Sequence, residues 1–184
     1  MFGDAGSSVR LVSEWRSAKP VPDLNDVPPI ISRTGIDLNP IDAGDPEQRL
    51  WLRALVWPED QAKAAVLTAA LVTLAQNPST ILGGDVASVI PTVIDRIEDG
   101  EPVVVFHAAV RMHLTTSASE TFDAAIDSLA ARGPLFHAWL EPESAPHDGF
   151  STAQRGGLQM HGPDDKEPVM LAAADGHLAW IQPA

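Results

Sequence analysis

The residues with the means to do chemistry gather just after short apolar runs. Asp37, Asn39 and Asp42 follow Ile30, Ile31 and Ile36, with Leu38 and Ile41 interleaved. Gly83, Gly84 and Asp85 close the run that starts at Thr80, and His107 ends Pro102-Val-Val-Val-Phe-His107. Glu141 and Glu143 follow Leu135-Phe-His-Ala-Trp-Leu140. In open α/β sheets ligands sit at the carboxyl ends of the strands, near the point where strand order reverses. A carboxylate there can accept both hydroxyls of a ribose, and one in a neighbouring loop can accept an exocyclic amine. Asp and Gly are also ordinary turn residues, and Asp85 has the plainer role of capping the helix that follows.

An imidazole ordinarily titrates near neutrality, so His107 suits a base or a substrate contact. Its bland alternative is a buried ring bonded to backbone. Glu141 and Glu143 would make an acid–base pair, or simply a solvated loop. No HxxxH, HExxH or carboxylate–His spacing occurs, so no metal site is expected. GxSxG and GxGxxG are absent, and Gly156-Gly157 lacks the Lys-Ser/Thr of a phosphate loop, so it reads as a turn. The five tryptophans read as packing residues.

Alternating apolar and polar residues from Val9 to Trp15 suggest one edge strand in an otherwise irregular segment 1–29, which Pro20, Pro22, Pro28 and Pro29 stiffen. A short, largely buried strand through Gly35 then runs into the carboxylate-rich turn. Asp45 is placed to cap a helix over 46–56, with Pro46 at its first position and Gln48 at the capping-box position. Leu50, Leu52, Leu55 and Val56 should face inward. A second helix over about 59–76 buries Val66, Leu67, Ala70, Leu71 and Leu74, and Asn77-Pro78 stops it. A third helical stripe, Val86 to Ile97, is kinked or restarted at Pro91. The continuous run from Pro102 has the pattern of a strand covered on both faces. Ser117 to Glu120 spells a capping box for a helix through Ala131, with Gly133 at its stop. Strand-like segments at 158–161 and 169–173 precede Asp175-Gly176, a hairpin signal before Leu178–Ile181. The expectation is one α/β domain over 1–184: a three-layer, mostly parallel Rossmann-like sheet closed by an antiparallel C-terminal hairpin.

Composition excludes several classes of function. The net charge is −13 and leaves no basic stripe for nucleic acid or an anionic membrane. No cysteine is present, so thiolate chemistry and disulfides are ruled out and nothing suggests export. The apolar runs stop well short of the ~20 residues of a membrane span. No charged segment followed by an apolar run opens the chain. A cytoplasmic location is therefore expected.

Larger pieces of the sequence resemble a known family. Gly3-Asp4-Ala-Gly-Ser-Ser-Val-Arg-Leu with Glu14-Trp-Arg16, Arg33-Thr-Gly-Ile-Asp-Leu-Asn-Pro-Ile-Asp42 and Arg49-Leu-Trp-Leu-Arg-Ala-Leu-Val-Trp-Pro58 carry the likeness. Gly84-Asp85, Val104-Val-Phe-His107 and Trp139-Leu-Glu-Pro142 extend it over nearly the whole chain. Together they look like the bacterial domain-of-unknown-function family 2332. Longer members carry an upstream glycine-rich segment similar to the first strand and loop of S-adenosylmethionine-dependent methyltransferases. The resemblance implies that Asp37 matches the acid contacting the cofactor ribose, with Asn39 and Asp42 beside it, and that Gly84 and Asp85 lie near the adenine. It places His107 on the acceptor side; Glu141 stands beside it only as a second catalytic candidate. It also implies that this chain is the C-terminal portion of a larger domain, without the first strand and glycine loop. Two function classes follow. One is a fragment of a methyltransferase-like domain binding S-adenosylmethionine, inactive in isolation. The other is a non-catalytic interaction or scaffold module that self-associates or recruits a partner chain through an exposed sheet edge.

Overall fold

The computed structural model describes residues 3–24, 27–142 and 155–184; Glu143 lies outside them. The chain is α/β, with four α-helices and a mixed six-stranded sheet among the described residues. It forms two compact units, Met1–Val12 with Pro22–Asp85, and Ser13–Val21 with Val86–Ala184.

The first unit contains a two-stranded parallel sheet. Its strands β2 (Thr34–Asp37) and β3 (Thr80–Gly83) pair from Thr34 opposite Thr80 to Asp37 opposite Gly83. Parallel strands need a long connection, and here it holds two helices, α1 (Pro46–Ala54) and α2 (Gln61–Gln76). Asp45 caps α1 as its sequence promises, accepting from the Glu47 amide at 2.8 Å. Gln48 departs from the usual capping box. Its amide donates to Asp45 Oδ2 at 3.0 Å, while its Oε1 accepts from the amide of Asp42, at 2.8 Å, rather than from that of Asp45. The helix start is thereby tied to the acidic turn before it. Asp60 caps α2 through the Lys63 amide, and Asn77 closes it.

Burial in this unit departs from expectation. Ile30 is 71% exposed, Ile31 97% and Leu38 77%, so the strand through Gly35 is not enclosed. No residue of α1 is buried, and Leu50 and Leu55 are exposed rather than inward. Two strands and two helices offer too little opposing surface for these side chains. Within α2, Leu71 alone is fully buried, and Val66, Leu67, Ala70 and Leu74 are half-buried.

The second unit is built on the six-stranded sheet, in the order β1-β8-β7-β6-β5-β4. Its strands are β1 (Glu14–Trp15), β4 (Val103–Ala108), β5 (Leu135–Pro142), β6 (Arg155–His161), β7 (Val169–Asp175) and β8 (Trp180–Pro183). β4 and β5 run parallel, as do β1 and β8, and the other neighbours are antiparallel. The N-terminal edge strand shrinks to Glu14–Trp15, because Leu11 and Val12 find no cover. The C-terminal hairpin forms, but with a longer loop than Asp175-Gly176 implies. Asp175 Oδ1 accepts from the His177 and Ala179 amides, and Leu178 takes a positive φ of 58°.

Gly156 and Gly157 are not a turn. Both are buried inside β6, facing Pro142 and Glu141 across the ladder. A Cβ on Gly156 would lie 2.9 Å from Leu140 Cδ1 and 3.1 Å from the Glu141 carbonyl oxygen, so the glycine permits close strand packing.

Helices α3 (Val86–Ile94) and α4 (Thr116–Arg132) complete the unit. Pro91 lies inside α3. The cap of α4 is Thr115, whose hydroxyl accepts from the Ala118 amide, so the helix begins one residue before the Ser117 that heads the sequence's capping box. Phe122, Ala125 and Leu129 of α4 are buried together with Ile90 and Ile94 of α3. β4 is covered on one face only: Val104 and Phe106 point outward, 67% and 81% exposed, while their neighbours are half-buried. The apolar run from Pro102 therefore misleads about its second face.

Candidate functional site

The candidate residues fall on two separate sheets rather than on four strand ends of one sheet. Asp37, Asn39, Asp42, Gly84 and Asp85 belong to the first unit, His107 and Glu141 to the second.

On the two-stranded sheet, the register brings Asp37 opposite Gly83. The Gly84 amide donates to the Asp37 carbonyl oxygen at 2.9 Å, extending the ladder one step past the strand. Gly84 has a φ of 141°, a backbone state that side chains disfavour. The ends of β2 and β3 thus lie side by side, with Asp85 one residue beyond the bond. Asp37 Oδ1 accepts from the Asn39 amide at 2.8 Å, an Asx turn, and the residue is exposed. Asp42 makes the same kind of turn through the Gly44 amide, 2.7 Å away. Asp42 also lines a shallow groove of about 360 Å³ with Pro40, Ala43, Leu74 and Ile81; Asp37 and Asn39 do not line it.

On the six-stranded sheet, a compact polar cluster forms at the ends of β4 and β5. Side chains alternate across a strand, so His137, Trp139 and Glu141 share one face of β5. Parallel pairing sets Val105 beside His137 and His107 beside Trp139. His107 Nδ1 lies 2.8 Å from Glu141 Oε1, and His107 Nε2 lies 3.1 Å from His137 Nε2. Glu141 Oε1 also accepts from the Val110 and Arg111 amides at 3.0 and 3.2 Å. The carboxylate therefore anchors the loop after β4 as well as the imidazole. Phe122 of α4 meets the His107 ring edge-on, with centroids 5.5 Å apart, and Trp139 lies nearly parallel to it at 6.5 Å. Arg111 sits over Phe122 and pairs with Asp123 of α4.

Burial holds both imidazoles toward the neutral form. It is the largest influence on His107 and lowers its pKa against the pull of Glu141. Burial, followed by the neighbouring His107, pushes His137 down to about 4.

Several readings of single residues change. His107 bonds to two side chains instead of to backbone, and His137, inside the apolar run Leu135–Leu140, belongs to the cluster. A carboxylate–histidine pair does exist, although its members are 34 positions apart. The period-two pattern His137, Trp139, Glu141 at the end of an apolar strand was the signal that could have revealed it. Among the described residues no group of three or more His, Cys, Asp or Glu could hold a metal ion, and no helix is long and apolar enough to cross a membrane. Trp51 and Trp57 are exposed rather than packed, whereas Trp180 stacks under Arg16 at 4.6 Å.

No curated protein and no solved structure matches this chain. A family model described as "uncharacterized protein conserved in bacteria" matches residues 1–182, and the protein belongs to that bacterial family, domain of unknown function 2332.

Proposed function

We propose that this chain is part of a methyltransferase-like domain that holds the adenosine portion of S-adenosylmethionine at the ends of β2 and β3. The observation that supports this reading most directly is the Asp37–Gly83 register, with Gly84 bonded back to Asp37. It sets an exposed carboxylate and a glycine turn side by side at the carboxyl end of two parallel strands. The donor set suits that role. Asp37 uses Oδ1 for its own turn, and its second oxygen is engaged by no described residue, so it can accept ribose hydroxyls. Asn39 closes the Asp37 turn, Asp42 forms the next one, and Asp85 lies just past the end of β3. The cofactor would supply an electrophilic methyl group; the chain would orient it, and catalysis would come chiefly from proximity and alignment. His107 and Glu141, in the second unit, are the other candidate residues.

The test is calorimetric titration of S-adenosylmethionine into the protein, expressed together with any coding sequence upstream of Met1. Binding should weaken by 1–3 kcal/mol, or about 5- to 150-fold, in Asp37→Ala, because a buried ligand hydroxyl loses its acceptor. Absence of heat in the unmutated protein would remove the reading.

A second reading, a non-catalytic interaction module, is favoured by a different observation. β4 ends the six-stranded sheet, no described strand pairs with its outer edge, and Val104 and Phe106 stand exposed on that strand. Such an edge can pair with another strand. Sedimentation should then show concentration-dependent self-association that Phe106→Lys abolishes. A monomer at all concentrations, with and without the substitution, counts against it.

A further inference from the structure

The cluster on β4 and β5 has a bonding pattern with only one consistent arrangement of protons when both rings are neutral. Glu141 Oε1 is an acceptor, so His107 Nδ1 must carry the hydrogen of that 2.8 Å contact. His107 Nε2 is then a bare lone pair. The 3.1 Å contact between the two Nε2 atoms requires one hydrogen, which must sit on His137. Nδ1 of His137 is left as the outer lone pair of the chain. It bonds to no described residue and, in a residue that is 7% exposed overall, it is not among fully enclosed atoms left without a partner.

We propose that Glu141, His107 and His137 form a proton relay that takes a proton at His137 Nδ1 and stores the positive charge on His107, beside Glu141. The step balances with no other reactant than a solvent hydronium ion. A proton adds to His137 Nδ1, the His137 Nε2–H bond breaks, and that proton passes to His107 Nε2. His137 ends neutral with its hydrogen on Nδ1, and His107 ends as an imidazolium donating to Glu141 through Nδ1 and to His137 through Nε2. Every contact persists and only the direction of the central hydrogen bond reverses, so the same packing accommodates both states.

The charged groups around the relay favour this end point. Glu141 is in direct contact with His107 and not with His137. Arg111, from the loop after β4, disfavours charge on both rings, while Asp123 of α4 offsets it. His161 of β6, paired with His137 across the ladder, works against charge on His137. Burial lowers both pKa values but His137 lacks the carboxylate that opposes it at His107. Because Glu141 Oε1 also accepts from the Val110 and Arg111 amides, the charge stored on His107 sits beside the carboxylate that fixes the loop after β4.

Long-range proton–nitrogen NMR of the imidazole rings in the whole chain tests this directly. At neutral pH, His107 should be the Nδ1–H tautomer and His137 the Nε2–H tautomer. On acidification, His137 should switch to the Nδ1–H tautomer at the same midpoint at which His107 becomes imidazolium. Glu141→Gln, which keeps the side chain's shape, should lower that midpoint by about one pH unit or more, since it removes a charge within hydrogen-bond reach. Three results would each overturn the relay. They are an Nδ1–H His137 at neutral pH, a His137 that becomes imidazolium before His107 charges, and a midpoint unchanged in Glu141→Gln. The S-adenosylmethionine reading does not enter this experiment, and failure of either leaves the other standing.

Discussion

At the scale of single residues, the most informative are those whose neighbours are far away in sequence. His137 lies in the middle of an apolar strand, and only folding sets it against His107 and below Phe122 and Trp139. Its pKa falls to about 4 in the folded chain from an ordinary 6.5, chiefly through burial. The unfolded chain therefore binds more protons between those values, and stability must rise as pH rises across that window. The contribution is complete above pH 6.5 and drains away as pH drops toward 4. Denaturant unfolding across this range should show a smaller slope with pH in His137→Gln than in the natural chain. Equal slopes would mean that the ring is not held neutral. Gly156 teaches a related lesson: a glycine pair that looks like a turn is instead the thin place where β6 passes Leu140.

Among the elements, the helices were the most legible, because their signals are local. Asp45-Pro46 and Asn77 mark the start of α1 and the end of α2 as the sequence suggests. α4 was found with its cap misplaced, since Thr115, Thr116 and Ser117 are all competent capping residues and chain geometry chooses among them. Thr115→Ala should cost about 1 kcal/mol in equilibrium unfolding, whereas Ser117→Ala should cost at most a few tenths. A larger loss from Ser117→Ala would return the cap to the sequence's choice. Strands were harder to read. The apolar runs through Gly35 and Val103–His107 named the strands correctly, but a run reports the chemistry of a segment and not the number of layers packed on it. Leu38 and Phe106 are exposed for that reason.

For the molecule as a whole, the difference between the two units is one of enclosure. The buried apolar residues are concentrated in the second unit, around Ile94, Phe122, Leu129, Leu135 and Ala174, whereas the first buries Leu71 and Ala43. Local opening is cheapest where few apolar contacts must be broken. Native-state hydrogen exchange should accordingly find the β2–β3 amides, such as Ile36, exchanging faster than those of β5 and β6, such as Ala138. Equal protection would show that the first unit is held more firmly than its burial implies. The sequence by itself determined the α/β class, the approximate positions of the four helices, the strands through Gly35, from Thr80, over Pro102–His107 and over Leu135–Leu140, and the presence of Asp37, Gly84 and His107 at strand ends. Those follow from periodicity and capping, which act over a few residues. Tertiary structure alone decided that the strands divide between two sheets, that the C-terminal sheet runs six strands wide, and that Glu141, His107 and His137 meet. Such outcomes depend on pairing between separate segments, from neighbours such as Ala174 and Ile181 to the distant Glu14 and Trp180, where the energy lies in register and packing and leaves no mark on either segment alone.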